Sequence, residues 1–376
     1  MNKFIKDSVQ EMQISGIRRF NALASKYDDV IKLTIGELDF YTPENIKNAT
    51  KLALDNNYTR YTQNKGIDDL RVAISNKYDN LYSKEEIVIT VGTTEAISII
   101  IKSIISPNDE IMIPTPGYVG YEPLVLLEGG SVSYVNTTAS SFQITLESLE
   151  KAYSAKTKAL LVTNPNNPTG YVLTEDEMDI IVDFVKAKDI LLISDEIYED
   201  TASKKDYKSF SKYTNLKKNL IILNGFSKSH AMTGFRIGYL LADLSLTKHF
   251  VKVHQYSVTS ATTISQYAAL EAIMTPFENL SNILKERRDY LLTRLEQMGI
   301  TVNVSKGAFY LFPNISKFGM SSEEFCIKLL KENKLALIPG EYFLGNHTEY
   351  VRISYAAPIQ VLEQAMNRLE AFLSNM

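Results

Sequence analysis

The sequence predicts an α/β protein: a large unit with a mostly parallel central sheet between helices, joined to a smaller α+β unit. Three observations carry that expectation. From Glu86 onward, short β-branched runs alternate with helical patterns, the rhythm of parallel strands linked by crossing helices. Near Thr275-Pro276 the alternation stops. And 376 residues, 45% hydrophobic and 22% charged, suffice to bury one large core or two modest ones.

In order, EIVITVG (86–92) reads as a strand, TEAISIIIKSIIS (94–106) as a helix, EIMIPTP (110–116) as a strand, YVGYEPLVLLEG (118–129) as helical and SVSYVNT (131–137) as a strand. TLESLEKAYS (145–154) reads as a helix, KALLVTN (158–164) as a strand and TEDEMDIIVDFVKAK (174–188) as a helix. The last begins at a capping box, Thr174 with Glu177. ILLISDEIY (190–198) and NLIILNGFSK (219–228) read as buried strands. Beyond residue 275, one long amphipathic helix (277–299) precedes ITVNVSKGAFYLFPNI, a capped helix from Ser321, the strand YVRISYA (350–356) and a final helix. Residues 1 to about 40 have no core of their own and must pack elsewhere, on the C-terminal unit. The expected division is therefore 42–275 for the large unit, and 1–41 with 276–376 for the small one.

Composition narrows the function. With 40 Lys+Arg against 44 Asp+Glu and a net charge of -4, the chain has no electrostatic footprint for nucleic acid. A single cysteine, Cys326, allows no intrachain disulfide and no Cys-rich zinc site, and four His leave few metal ligands, so no metal is expected. The start, MNKFIKDSVQEM, lacks the apolar stretch of a secretory signal and should be retained. The most apolar run, 96–105, carries Lys102 and is too short to cross a bilayer. A cytoplasmic protein that does not contact membranes is expected.

The densest chemistry lies in GFSKSHAMTGFRIGY (225–239), directly after the strand LIILN, where open α/β sheets bind ligands. Lys228 there, among small residues and followed by Arg236, suits an amine nucleophile beside an anion clamp; alone, such a lysine is usually just solvated. In SDEIYED, Asp195 ends an apolar strand, where a carboxylate can hold a ring nitrogen protonated, and strand alternation would carry Tyr198 to the same cavity. Otherwise the segment is a plain strand-ending turn. NPNNPTG (164–170) fixes Asn167 just before Pro168, either presenting an amide to a ligand or simply turning the chain. VGTTEA (91–96) opens a helix with Gly92 and two hydroxyls, fit for a phosphate or for a threonine N-cap.

These segments together resemble the class I and II aminotransferases, fold-type I enzymes that use pyridoxal 5'-phosphate. Residues 225–238, with Arg236 eight positions after Lys228, read like their cofactor-lysine signature, and the likeness runs from ISGIRRF (14–20) and LTIGELDF (33–40) to YVRISYA. It points to the bacterial group of aspartate, aromatic and N-acetyl-diaminopimelate aminotransferases; ISGIRRF, KVHQYSV (252–258) and KSHAMTG resemble the last. The resemblance implies that Lys228 binds the cofactor aldehyde, Asp195 pairs with the pyridinium nitrogen, Tyr198 and Asn167 meet the phenolic oxygen, and Tyr118 stacks on the ring. Thr93, Thr94, Ser227 and Arg236 would hold the phosphate, with Tyr61 reaching in from the other subunit of a homodimer. Arg352 would clamp the substrate α-carboxylate, and Gly36 would approach it through its backbone.

The resemblance also implies a ping-pong exchange between an amino acid and a 2-oxo acid such as 2-oxoglutarate. A carbon-sulfur lyase shares the signature, and an aminotransferase-like ligand module of a transcription regulator would need a DNA-binding segment for which there is no room before residue 14. Two departures stand out. Gly225 replaces a phosphate-binding serine of many relatives, and Leu38 replaces a proline, which would loosen its loop. Thr94 stands where aspartate-specific relatives often carry a lysine, and no second cation is evident beside Arg352. Aspartate is therefore not expected as the best donor; the resemblance of KSHAMTG and KVHQYSV points instead to N-acetyl-L,L-diaminopimelate, with aromatic amino acids next.

Overall fold

A computed structural model describes residues 2–277, 279–303 and 305–376. Glu278 and Val304, which belong to two of the expected elements, and Met1 lie outside the described residues.

After the short strand β1 (Ile31–Lys32), seven strands build the main sheet: β2 (Ile87–Thr90), β3 (Glu110–Thr115), β4 (Ser131–Asn136), β5 (Thr157–Thr163), β6 (Leu191–Asp195), β7 (Leu220–Gly225) and β8 (Gly238–Ala242). Their spatial order is β2-β8-β7-β6-β5-β3-β4. Only β8 runs antiparallel to its neighbours; the other six are parallel. Strands β2, β7 and β8 are buried at every residue, which is why they read as unbroken apolar runs rather than as alternating ones. Successive residues still serve opposite faces. Ile87, Ile89, Leu192 and Ile222 pack in one core, and Val88, Ile111, Ile193 and Ile221 in another across the sheet.

A smaller antiparallel sheet joins β9 (Tyr310–Leu311), β11 (Ile338–Pro339) and β12 (Val351–Ser354), with β12 in the middle. Between them in the chain, β10 (Leu335–Ala336) pairs in parallel with β1. Phe20, Ala24, Leu33 and Leu38 share one apolar core with Leu284 and Leu291 of helix Leu280–Gln297 and with Phe372 of helix Ile359–Ser374. Leu38 is thus buried packing: the apolar side chain anchors its loop instead of loosening it.

Several expected boundaries move. The long helix starts at Leu280, because Asn279 is left-handed (φ 60°) and cannot continue a helix backward. Helical structure in 118–129 is confined to Glu122–Leu127, and β6 and β7 end at Asp195 and Gly225. Strand β8 went unread because its GYLLA run follows directly on the lysine segment. The capping box at Thr174 is present, with Glu177 accepting from the Thr174 N–H at 2.9 Å and donating its own N–H to the threonine hydroxyl at 3.3 Å. Ser321 and Glu324 form another ahead of helix Ser322–Asn333.

Candidate active site

The carboxyl ends of β5, β6 and β7 form the floor of a cleft. Asp195, last in β6, is buried; one oxygen accepts from the Tyr121 hydroxyl at 2.9 Å and the other from the Ile197 N–H at 3.2 Å. No cation is ion-paired with it among the described residues. Burial raises its pKa to about 6, against the pull of those two donors. Lys228 lies in the turn after β7, its Nζ donating to the Gly36 carbonyl oxygen. Burial lowers its pKa to about 8; Glu37 opposes the drop, and Arg236 and Arg352 add to it. An amine so poised is in part unprotonated near neutral pH, as a nucleophile or a proton carrier requires.

Helix Gly92–Ile104 points its start at the same floor. Gly92 is left-handed (φ 71°), and a Cβ there would sit 2.9 Å from Arg236 Nη2, so only glycine lets the guanidinium lie against the helix start. No side chain caps this helix; Val91 is its cap position and Thr93 lies inside the first turn, so the threonine N-cap is not formed. The free N–H groups and Arg236 together make a cradle for an anion. Ser227 is buried, Thr93 half-buried and Thr94 exposed. At Gly225 a Cβ would stand 3.0 Å from both Gly238 Cα and the Ile237 carbonyl oxygen, so backbone crowding against β8 accounts for the glycine.

The roof comes from the other sheet and the N-terminal segment. Arg352, in β12, is 3% exposed; Nη1 donates to Asn167 Oδ1 at 3.0 Å and Nη2 to the Thr34 carbonyl oxygen at 2.6 Å. Its guanidinium carbon lies 4.3 Å from the centre of the Tyr310 ring, its Nε has no partner, and it forms no ion pair among the described residues. The Tyr310 hydroxyl is 3.1 Å from that of Tyr198 and so close to Gly36 that a Cβ there would come within 2.5 Å of it. Tyr118 stands edge-on to Tyr121 with ring centres 5.3 Å apart, partly open to the cleft.

Most of the residues singled out in the sequence thus converge. Tyr61, 85% exposed, stands apart from this cleft's contacts within one chain. Tyr198 reaches the cleft by a route that alternation did not foresee: β6 stops at Asp195, and the turn that follows swings Tyr198 back. Glu196 faces the opposite way, bonded to the Ser194 and Tyr207 hydroxyls and the Phe210 N–H. Sequence reasoning passed over Tyr121, Tyr310 and Thr34. Tyr121, in the same PTPGYVGY segment as Tyr118, carried a signal; Tyr310 and the Thr34 carbonyl carried none.

A buried carboxylate and a buried guanidinium, each without a charged partner, face a lysine of lowered pKa across one cleft. They fit a cationic ring below and a substrate carboxylate above, the class of enzymes that hold pyridoxal 5'-phosphate on a lysine. The chain belongs to the family described as aminotransferase class I and II, whose sequence profile matches residues 28–369. It is 41% identical over 381 residues to the probable N-acetyl-LL-diaminopimelate aminotransferase of Bacillus subtilis, covering 99% of this chain and 96% of that one. It is 38% identical to aromatic-amino-acid aminotransferase 2 of Thermococcus litoralis, over 98% of each. The aspartate aminotransferase structure from Thermotoga maritima superposes with a TM-score of 0.93 at 34% identity, covering 98% of this chain and 100% of that one. The protein is a pyridoxal-phosphate-dependent aminotransferase.

Proposed function

We propose that this aminotransferase moves an amino group from N-acetyl-L,L-diaminopimelate to 2-oxoglutarate, acting as a cytoplasmic homodimer. Support for the donor comes from the 41% identity, along nearly the whole chain, to a protein named for that substrate. An uncharged, exposed Thr94 agrees with it, since that position then offers no cation to the short side-chain carboxylate of aspartate. The residues divide into a unit 42–275 that holds the cofactor and a unit of 1–41 with 276–376 that bears the substrate clamp.

The observation that carries the chemistry is a buried Asp195, without an ion pair among the described residues, and Lys228 placed at the carboxyl ends of the adjoining strands β6 and β7. Bound pyridoxal 5'-phosphate supplies an aldehyde and a ring that accepts electrons. Asp195 would keep a proton on the ring nitrogen, Tyr198 and Asn167 would meet the phenolic oxygen, and Tyr118 would cover the ring. Arg236, Thr93, Thr94, Ser227 and the partner's Tyr61 would hold the phosphate. Arg352 grips the α-carboxylate through two parallel N–H donors, and Gly36 contacts it through backbone. With the group bound and the substrate fixed in this way, Lys228 Nζ would be the base that takes the Cα proton and holds it for return.

The test is a panel of donors, N-acetyl-L,L-diaminopimelate, phenylalanine and aspartate, each with 2-oxoglutarate. The first should have the highest kcat/KM. A higher value for aspartate overturns the assigned donor; a higher value for phenylalanine favours the aromatic reading, supported by the Thermococcus relative. Release of a β-substituent in place of amino transfer would point to lyase chemistry. Sedimentation of an active monomer would exclude the dimer.

A further inference from the structure

Two tyrosine hydroxyls, one in the roof and one in the turn below it, have only each other. Tyr198 and Tyr310 are both buried, their hydroxyl oxygens stand 3.1 Å apart, and among the described residues neither has a second hydrogen-bond partner. Both elements bring the pair together. In the small sheet Tyr310 lies opposite Ser354, so on their shared face it is the diagonal neighbour of Arg352, whose guanidinium carbon rests 4.3 Å from its ring centre. The turn after β6 sets Tyr198 edge-on to the same ring, with centres 5.8 Å apart. Two hydroxyls carry two protons and make one bond between them, so one O–H is left without an acceptor in a buried place. Tyr207 shows the settled alternative: its hydroxyl donates to Glu196 at 2.7 Å.

The spare proton faces the cleft. A Cβ at Gly36 would stand 2.5 Å from the Tyr310 hydroxyl and 4.0 Å from Lys228 Nζ, so hydroxyl and amine flank the same backbone atom. The other titratable groups around the pair are Arg352 and Tyr118, with Asp195 three residues before Tyr198. Burial raises the pKa of both phenols against the pull of Arg352, and both keep their protons at neutral pH. When Tyr198 turns its proton to an acceptor in the cleft, its oxygen is free to accept, and Tyr310, which has no other acceptor among the described residues, is the donor. A phenol that accepts a hydrogen bond becomes a stronger donor itself.

We propose that Tyr310 is a positioning residue that acts through Tyr198: its hydroxyl donates to Tyr198, so that the Tyr198 proton is directed at the phenolic oxygen of pyridoxal 5'-phosphate and bonds it more strongly. This rests on reading Tyr198 as the partner of that oxygen. The consequence is electrostatic. A hydrogen bond donated to an anionic oxygen favours the form that has lost its proton. The pair of hydroxyls therefore lowers the pH at which the bound cofactor gives up its proton, and Tyr310 contributes part of that shift without touching the cofactor.

The test is the absorbance of the pyridoxal-phosphate-loaded enzyme titrated with pH. Tyr198→Phe should raise the midpoint by about 1 to 2 pH units, as for loss of one charge-assisted hydrogen bond. Tyr310→Phe keeps the ring beneath Arg352 and should raise it by about 0.2 to 0.5 unit, the share that polarisation along a chain of hydroxyls adds. In the Tyr198→Phe background the same change should have no effect, because the residue through which it acts has lost its hydroxyl. A Tyr310→Phe midpoint less than about 0.2 unit above wild type overturns the proposal, as does an equal shift in the Tyr198→Phe background, which would make Tyr310 independent of Tyr198. The underlying assignment is judged separately: if Tyr198→Phe leaves the midpoint unmoved, the reading of Tyr198 fails and the relay falls with it.

Discussion

The floor and the roof of the cleft are mirror images in charge. On the floor, Asp195 is a buried anion whose only donors among the described residues are a tyrosine hydroxyl and a backbone N–H. On the roof, Arg352 is a buried cation held by an amide oxygen, a backbone carbonyl oxygen and the face of Tyr310. Burying a charge without a counter-charge is costly, and ordinary cores avoid it. Arg287, bound to both oxygens of Asp39 at 2.7 and 2.9 Å, shows how this protein settles a buried charge that has only a structural task. The contrast teaches that the cleft leaves two charges unneutralised, which on the proposed function serve the cofactor and the substrate, and that folding stability is given up at both.

The largest effect should come from the group between the two surfaces. Lys228→Ala should lower kcat by on the order of 10³ while pyridoxal phosphate is still retained by Arg236 and Asp195, because proton transfer is lost and not the cradle. Steady-state turnover and cofactor absorbance check this together; substantial activity in the variant would break the comparison. Next, Arg352→Lys keeps the charge and loses the paired donors. We expect kcat/KM to fall by on the order of 10², equivalent to about 2–3 kcal/mol, for amino and 2-oxo substrates alike.

The smallest effect concerns stability, and its sign follows from the direction of the Asp195 shift. Folding raises that pKa from 3.8 to about 6, so the folded chain binds the proton more tightly than the unfolded one. The stability this confers is fully present below pH 3.8 and disappears as pH climbs through about 6, leaving a cost of at most about 3 kcal/mol above it. Asp195→Asn should therefore melt at a higher temperature than wild type at pH 7–8 in the cofactor-free protein, and the gap should narrow below pH 5. Calorimetry across that range decides; a variant less stable at pH 8 would show that Asp195 is a structural carboxylate like Glu196, which follows it in the chain and faces the opposite way.

The floor was legible because its residues are local. Lys228 and Arg236 lie within one segment after β7, Asp195 ends an apolar run, and Gly92 opens a helix, so short motifs with strand periodicity located them all. The alternation of strands and helices, and its end near residue 275, also follow from apolar spacing alone, since backbone geometry fixes the periods of 2 and 3.6. Tertiary structure decided the rest. Strand β8 lies between β2 and β7, and the turn after β6, rather than pleating, aims Tyr198 at the cleft. Tyr121 bonds Asp195 across 74 residues, Asn167 meets Arg352 across 185, and the Thr34 carbonyl oxygen meets Arg352 across 318. No period or spacing encodes such contacts. They exist because two sheets and an N-terminal segment bury their apolar faces together, and the polar groups that packing brings to one cleft acquire their partners, or are left without them, only once the chain has closed.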